Sequence, residues 1–581
     1  MKGHLFITPG DLTQLSAHAI AYSASNALGR DGNLYSAFAA NVPGFAEWYN
    51  QLRPGQGQLR EVGDAFWMPL KTGQMPRGVV AVVSTGGPAT TEDKAAIAVR
   101  AALTTAVREL RNTHEKQKHL LIALPAFRLG KGGDRRQRLR SARAQISAAR
   151  DFLAHNEGVD VAFIPYTISL YQIFLEARRE VRDKLSSDPP RYSTLEQALL
   201  ARECVLFVGA GLSSGAGLPD WNSLVQRLSG DLGIEWQDRH NYLDLAQWYR
   251  ERFGSERLAA VIRDTYTTTA YPTLAHYLLM SLPVRHVITT NYDDLLERAL
   301  IGLKRHPVKV LHQQDVARTG QDDVFVVKLH GDAAHPDEVI LTRDDYDEFF
   351  HRRPAMALLL EGLLLNQTFF FVGYGLRDPN FRQIQSRIVR MLREAQRPAF
   401  ATTFEASGDN GPYLIEQWRN KQLALINIPG ATLAEQQHAF LQFLDNLADL
   451  VALQMPQLFL TPELQVSPEL RHLRKLLLEE VGAEMETFAE RDLSGSTAWQ
   501  DVRYLAEVLE FLTAHGWRPG TRKSLDLCRL WEQLAAHAAG PAEQRRLLIA
   551  ALGAAEAFAD VQRIRNKLAE LERPMEGQAN P

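Results

Sequence analysis

Residues 204–221 read CVLFVGAGLSSGAGLPDW, and this stretch decides the fold of the middle of the chain. Its first five residues are apolar and rich in valine, which predicts a buried strand. Four glycines follow within nine residues, at Gly209, Gly211, Gly215 and Gly217. A glycine-rich loop between a strand and a helix lets the backbone approach a phosphate closely and turn its amides toward it. Ser214 stands where the dinucleotide-binding fingerprint has its third glycine, so a tight turn without a ligand is the alternative.

Three further strands of the same part of the chain end in polar clusters. The clusters read TTNYDD at residues 289–294, KLHGD at 328–332 and GYGLRD at 373–378. In an open parallel sheet, ligands bind at the carboxyl ends of the strands. Together with the glycine loop, these clusters predict a binding site at one edge of a parallel sheet.

Two proline-bearing seams divide the 581 residues into three regions. The first seam contains Pro189 and Pro190, and the second contains Pro456, Pro462 and Pro468. Because proline interrupts a helix, we place the regions at residues 1–185, 190–455 and 456–581.

Strands alternate with helices in the first two regions, which predicts an α/β fold class. Apolar residues recur at steps of three and four, as on one buried face of a helix, at Ala96, Val99, Leu103, Val107 and Leu110. The last region has almost no strand signal and predicts a helical bundle, with Leu548, Leu552, Ala555 and Ala559 on one buried face. The predicted strands span residues 79–83, 119–124, 159–164, 204–208, 284–290, 324–329, 368–372 and 422–428.

The order of motifs in the middle region resembles the NAD-binding domain of sirtuins. The segment FVGYGLRD at residues 371–378 is closer to the sirtuin-like branch found in bacterial antiphage-defence proteins. The resemblance covers about residues 195–450 and implies a Rossmann-like domain with a parallel sheet. NAD is the implied substrate. The NAD-binding residues that it implies are Gly209, Ala210, Gly211, Ser213, Pro219, Asp220, Thr290, Gly373, Tyr374 and Asp378.

The same resemblance implies Asn291, Asp293 and His330 as the catalytic residues. An imidazole that titrates near neutrality can accept a proton from a ribose hydroxyl or from water. A carboxamide such as that of Asn291 can position that water without adding charge. A structural histidine is the alternative for His330, and metal binding by His330 with His335 lacks a third ligand at a suitable spacing. We therefore expect no metal.

The chain departs from sirtuin deacylases in its cysteines. Those enzymes carry a zinc module with four cysteines after the catalytic histidine, whereas this chain has only Cys204 and Cys528. Two cysteines also exclude a disulfide framework. An NAD site without the zinc module and its acyl-lysine groove favours NAD hydrolysis over deacylation.

The first region resembles a macro domain, an α/β/α fold that binds ADP-ribose and related molecules. The segments that carry this resemblance start at Pro9 and Ala19 and include residues 124–133. By analogy, Asp11 would meet the adenine amine and Asn26 the distal ribose, while Gly130, Gly132 and Gly133 would surround the diphosphate. The glycine cluster of hydrolytic macro domains is replaced by residues 29–35, which favours binding over hydrolysis. A scaffold that only makes subunit contacts is the alternative.

Composition and charge argue against a nucleic-acid-binding or membrane protein. With 65 basic and 68 acidic residues, the net charge of −3 gives no overall attraction to nucleic acid or to a membrane. The first ten residues do not resemble a secretion signal, so we expect none, and the most apolar stretch, residues 355–365, is too short to span a bilayer. We expect a cytoplasmic homo-oligomer in which the last region is a helical cap or an oligomerisation element.

These observations predict an antiphage-defence effector. The sirtuin-like domain would hydrolyse NAD to nicotinamide and ADP-ribose, gated by an ADP-ribose-derived signal on the macro-like domain, in a logic that resembles Thoeris-type effectors. Two alternatives stay open: a protein that binds NAD and ADP-ribose without hydrolysis, and an ADP-ribosyl transferase or deacylase whose macro-like domain reads the mark.

Overall fold

A computed structural model describes most of the first two regions and the end of the third. The described residues are 2–29, 33–52, 59–70, 76–85, 91–113, 119–127, 135–182, 193–235, 241–267, 270–317, 324–374, 397–404, 411–419, 422–454, 527–536, 541–555 and 558–572.

The first region is built on a six-stranded sheet with the order β1-β6-β5-β2-β4-β3. All neighbouring strands run parallel except the edge pair β3 and β4. Helix α3 buries the predicted face from Ala96 to Leu110. The elements are β1 (Leu5–Ile7), β2 (Ala19–Ser25), α1 (Asn33–Asn41), α2 (Phe45–Gln51), β3 (Ala65–Pro69), β4 (Gly78–Thr85), α3 (Thr91–Thr113), β5 (Leu120–Leu124), α4 (Arg135–His155), β6 (Val159–Phe163) and α5 (Ile168–Arg182).

The middle region is built on a seven-stranded parallel sheet with the order β13-β12-β11-β7-β8-β10-β9. Its elements are α6 (Ser193–Leu200), β7 (Cys204–Val208), α7 (Trp221–Leu232), α8 (Tyr242–Phe253), α9 (Ser255–Tyr266), α10 (Leu274–Met280), β8 (His286–Thr289), α11 (Leu295–Gly302), β9 (Pro307–Val310), β10 (Val324–Lys328), α12 (Arg343–Asp347), α13 (Phe349–Arg352), α14 (Pro354–Asn366), β11 (Thr368–Val372), β12 (Ala399–Thr403), α15 (Gly411–Arg419), β13 (Leu423–Asn427) and α16 (Leu433–Gln454).

The strand order of this sheet reverses at its central strand. After β7 the chain continues to β8 on one side, and it later returns to β11 on the other. Such a switch point leaves a crevice between loops that leave the sheet in opposite directions. The glycine loop after β7 lies at this point.

The described part of the last region is helical, with α17 (Leu527–Ala536), α18 (Pro541–Ala554) and α19 (Phe558–Glu572). The α/β class and the helical end are thus confirmed. The prediction that Ala559 shares a buried face with Leu548, Leu552 and Ala555 is wrong, because α18 ends at Ala554 and Ala559 is exposed on α19. None of the described helices is both long and apolar enough to cross a bilayer.

The first and middle regions share one hydrophobic core. A continuous cluster of buried residues includes Phe6 and Tyr22 of the first region, Tyr277 on α10 and Phe443 on α16. Backbone contact supports it, since the amide of Ser16 donates to the carbonyl of Pro272 at 2.8 Å. The two α/β regions therefore pack directly against each other.

Candidate functional site

The four strand ends that carry polar clusters lie side by side. Val208 on β7 pairs with Val372 on β11 and with Thr289 on β8, and Thr289 pairs in turn with Lys328 on β10. The chain segments after these residues consequently leave the sheet at the same edge. The structure thus brings the glycine loop and the segments with Asn291, His330 and Gly373 to one end of the sheet, as parallel pairing predicts.

The glycine loop is held against the end of β11. The amide of Gly209 donates to the carbonyl of Val372, and that of Gly211 donates to the carbonyl of Gly373, both at 3.0 Å. A Cβ atom on Gly209 would lie 2.5 Å from the Gly373 oxygen. Gly373 itself has a φ of +59°, and a Cβ there would lie 2.5 Å from the Leu212 nitrogen. Close backbone approach at the switch point therefore requires glycine at both 209 and 373.

Asn291 is the most informative side chain at this edge. It is only 4% exposed, and its Nδ2 donates to the carbonyl of Gly209 at 3.2 Å and to the hydroxyl of Ser213 at 3.1 Å. Its Oδ1 is buried and has no hydrogen-bond partner among the residues that the structure describes. Since buried acceptors are nearly always satisfied, this oxygen is available to a donor from a water molecule or from a bound ligand.

Asp293 belongs to a buried charged network next to Asn291. Burial raises the pKa of Asp293, and the positive charge of Lys328 partly offsets that rise. The ammonium of Lys328, which is fully buried, donates to the carbonyl of Asp293 and lies 3.6 Å from Glu297. The Asp293 carboxylate also accepts from the amide of Leu295 at 3.1 Å, at the start of α11. The network fixes the loop that carries Asn291.

His330 is buried in the turn after β10. Its ring packs against Tyr346 with centroids 5.2 Å apart, and the Tyr346 hydroxyl lies 3.5 Å from Nδ1. Its carbonyl accepts from the amide of Ile340 at 2.9 Å. The next residue, Gly331, has a φ of +94°, which turns the chain sharply after the histidine. Neither His330 nor His335 belongs to a group of three metal-ligating side chains within the described ranges.

The other predicted NAD-binding residues have local partners around this edge. The Asp220 carboxylate caps α7 by accepting from the amide of Ser223 at 2.9 Å, and the carbonyl of Pro219 accepts from Tyr266 at 3.3 Å. The amide of Thr290 donates to the carbonyl of Val208 at 3.3 Å. The Tyr374 ring lies 4.6 Å from that of Phe207, and Ala210 accepts from the amide of Ser213. Asp378 lies outside the described residues.

The predicted signal-binding residues are only partly described. Asp11 caps a short 3₁₀ turn, where its Oδ1 accepts from the amide of Thr13 at 2.9 Å and from its hydroxyl at 2.6 Å. Burial raises the pKa of Asp11, and the bonds from Thr13 oppose that rise. The carbonyl of Asn26 accepts from the amide of Arg60 at 2.9 Å. Gly130, Gly132 and Gly133 lie outside the described residues.

Asp11 lies at the junction of the first and middle regions. Its carbonyl accepts from the hydroxyl of Tyr277 at 3.4 Å, and the charges of Arg565 and Lys304 lower its pKa slightly against the effect of burial. The ammonium of Lys304 stands 4.1 Å from the centre of the Tyr166 ring. All three regions thus contribute side chains near the predicted signal site, which the sequence did not indicate.

The sequence analysis missed several residues at this edge of the sheet. Lys328 and Glu297 form the buried network, and Tyr346 contacts His330. One signal was present, since a lysine at the end of an otherwise apolar strand is unusual unless it is paired. Glu297 and Tyr346 gave no such signal, because they lie on helices whose packing the sequence does not specify.

Comparison with known proteins bears on the middle region. A family model described as a SIR2-like domain matches residues 285–426. NAD(+) hydrolase ThsA of Acinetobacter baumannii (strain 532279) is 36% identical over 194 residues, which cover 33% of this chain and 40% of that protein. NAD(+) hydrolase ThsA of Cytobacillus dafuensis is 32% identical over 193 residues, which cover 33% of this chain and 39% of that protein. The chain thus spans about two fifths of the length of these relatives.

Two more distant similarities complete the comparison. Defense-associated sirtuin 2 of Bacillus subtilis is 25% identical over 297 residues, which cover 48% of this chain and 29% of that protein. The solved structure of the Oceanobacillus iheyensis macrodomain with ADP aligns with 31% of this chain and 92% of its own at 20% identity, with a TM-score of 0.26. No conclusion on ligands follows from a score of that size. The SIR2-like match confirms the predicted resemblance of the middle region to sirtuin-like domains.

Proposed function

We propose that the middle region hydrolyses NAD to nicotinamide and ADP-ribose, and that the chain acts in antiphage defence. The observation that carries this proposal is the buried, unpartnered Oδ1 of Asn291 at the switch point of a parallel sheet. The ThsA relatives are named NAD(+) hydrolases, and the Bacillus subtilis relative is named a defence-associated sirtuin. Their names support the reaction and the setting.

The described residues fit NAD as the bound molecule. The exposed glycines of the loop, Gly211 and Gly215, let a pyrophosphate approach the backbone closely at this edge. The Asn291 oxygen suits a hydroxyl donor such as a ribose or a water molecule. NAD supplies the bond between nicotinamide and ribose, which water cleaves.

The roles of the side chains follow from their contacts. Asn291 holds a ribose hydroxyl or the attacking water through Oδ1, while the bonds from its Nδ2 to Gly209 and Ser213 fix the amide plane. His330 accepts the proton that the water or hydroxyl loses, as a general base. Asp293 keeps the loop in place through Leu295 and Ser213 and so acts on the reaction through Asn291.

Nicotinamide release from NAD by the purified full chain tests this proposal. We expect Asn291→Ala to lower the rate about 100-fold or more, because the water or ribose is no longer positioned, and His330→Ala to lower it by about 10²–10⁴-fold. Matched controls are Asn222→Ala on the exposed side of α7 and His351→Ala on the surface of α13, which should keep the rate.

Each alternative gives a different result in this assay. Binding of NAD without nicotinamide release would favour a binding protein. Release accompanied by transfer of labelled ADP-ribose to protein would favour a transferase. Equal rates for Asn291→Ala and Asn222→Ala would contradict the proposed site.

We further propose that a ligand on the first region controls this activity through helix α11. Its first turn holds Asp293 through the amide of Leu295. In its middle, the Arg298 guanidinium donates to Gln14 of the first region at 3.3 Å. Just after its end, Lys304 lies over the Tyr166 ring and donates to the carbonyl of Ala555 in the last region. A shift of α11 would therefore move contacts to the first region and to Asp293 together.

A further inference from the structure

Two histidines and an aspartate meet at the amino-terminal edge of the first sheet. His119 immediately precedes β5, Asp160 is the second residue of β6, and His438 lies on α16. The ligand atoms of the three side chains all lie within 4.8 Å of one another. This edge is opposite to the one that carries Asp11, because β1, β5 and β6 run parallel. The cluster is thus separate from both candidate ligand sites.

The contacts within the cluster are unequal. His438 Nε2 lies 3.0 Å from Asp160 Oδ1 in a hydrogen bond. His119 Nε2 lies 2.7 Å from Asp160 Oδ2 in a short, poorly aligned ion-pair contact, and its Nδ1 is buried without a hydrogen-bond partner within the described ranges. A bound ion would account for the poorly aligned contact and for the unpartnered nitrogen.

The donor set matches a particular class of ion. Two imidazoles and one carboxylate are ligands that Zn²⁺ and neighbouring first-row divalent metals accept, with a fourth position for water. The remaining interactions resemble an outer shell, since Asp160 Oδ1 also accepts from the amide of His4 at 2.7 Å. With metal–ligand bonds of about 2.0–2.2 Å in a tetrahedral site, donor atoms lie about 3.3–3.6 Å apart, so the two contacts of 2.7 and 3.0 Å to Asp160 would lengthen when an ion binds.

We propose that His119, Asp160 and His438 bind a divalent metal ion of the zinc class. The ion would join the first sheet to helix α16 and so fasten the first region to the middle region. Metal binding requires deprotonated imidazole nitrogens facing the ion, so it displaces the Nε2 protons that a purely hydrogen-bonded cluster would hold. The two arrangements are therefore mutually exclusive and can be distinguished.

Titration of the chelator-treated full chain with Co²⁺ provides the test, with visible absorption as the readout. We expect about one equivalent to bind with an absorption band typical of low-coordinate cobalt. His119→Gln and His438→Gln should lose the band, and His155→Gln, exposed at the end of α4, should keep it. Added Zn²⁺ should raise the unfolding temperature of the wild type and of His155→Gln. It should not raise that of His119→Gln or His438→Gln.

The unfolding temperature measured with chelator present is the control for folding. We expect His438→Gln to unfold near the wild-type temperature under these conditions, because its glutamine can still donate to Asp160. Folded His438→Gln that binds Co²⁺ as the wild type does would overturn the proposal, as would wild-type protein that binds no stoichiometric Co²⁺. In either case the cluster is a hydrogen-bonded one.

Discussion

The guanidinium of Arg178 on α5 contacts both carboxylate oxygens of Asp445 on α16, with Nη1 at 2.9 and 2.8 Å from them. Its Nη2 lies 3.1 Å from Asp449 on the same helix. All three side chains are buried. Burial alone would lower the pKa of Arg178, but the two carboxylates raise it, so the ion pair persists inside the protein. This contact joins residues 267 positions apart across the junction of two regions.

Removal of Arg178 should destabilise the chain strongly. Arg178→Leu removes the guanidinium from two buried carboxylates and leaves Asp445 with the His4 imidazole at 3.0 Å, and we expect a loss of about 3–5 kcal/mol in the free energy of unfolding. Arg179→Leu, on the exposed neighbour, should change it by less than about 0.5 kcal/mol. Denaturant unfolding monitored by circular dichroism measures both. Similar midpoints for the two variants would show that the buried pair is energetically neutral.

Acid should weaken the junction between the regions. Burial would raise the pKa of Asp160, but its contacts with His119 and His438 lower it to about 2 from the ordinary 3.8. A carboxyl with a lowered pKa in the folded state contributes stability above about pH 4, and this is lost as the pH falls through 2. We expect about 2 kcal/mol from this group.

The measurement is the free energy of unfolding between pH 5 and about pH 2, with chelator present. Asp160→Asn should flatten the curve in this window, whereas Asp151→Asn, an exposed carboxylate on α4, should leave it as in the wild type. Parallel curves for the wild type and Asp160→Asn would contradict the expected ionisation.

The glycine loop should tolerate no side chain at its first position. Gly209→Ala would place a Cβ atom 2.5 Å from the Gly373 oxygen and 2.8 Å from the Tyr374 Cα. We expect a loss of about 1–3 kcal/mol in stability and a lower rate of nicotinamide release. Gly230→Ala meets open space within α7 and should stabilise the protein by about 0.5–1 kcal/mol. A Gly209→Ala protein as stable and active as the wild type would show that the loop can move away from β11.

The contact of α11 with the first region should affect regulation and leave the basal rate unchanged. Gln14→Ala removes the acceptor of Arg298 but leaves Asn291, Asp293 and His330 in place. With ADP-ribose and cyclic ADP-ribose as probes, we expect stimulation of nicotinamide release to fall by about 2- to 30-fold. Gln51→Ala, exposed at the end of α2, is the control. Unchanged stimulation in Gln14→Ala, or none in the wild type, would contradict control through α11.

Much of the fold could be predicted from local pattern. The strands at 204–208 and 368–372 have the predicted bounds, and the six other predicted strands differ from the structure by one or two residues at one or both ends. Strands β1, β2, β3, β9 and β12 were not predicted. For β9 and β12 the reason is local, since β9 begins with Pro307 and contains Lys309, while β12 is short and rich in alanine and threonine. Their pairing depends on neighbouring strands, which a local pattern does not contain.

The candidate site was partly predictable for a topological reason. Parallel strands end at one edge, so polar clusters after several strands must meet, and the in-register row from Val372 to Lys328 confirms this. The roles of Asn291, Asp293 and His330 stay predictions. The junction around Asp11 and the Arg178–Asp445 pair could not be predicted, because they depend on how distant regions pack.

The shared core has a consequence for how such a chain can evolve. Helix α16 contributes Phe443 and Leu444 to the common hydrophobic cluster and presents Asp445 and Asp449 to Arg178. Exchange of the first region for an unrelated domain would leave two buried carboxylates and a large apolar face without partners. We therefore expect the two α/β units to be inherited as a pair, because a different first region would require a changed surface on α16.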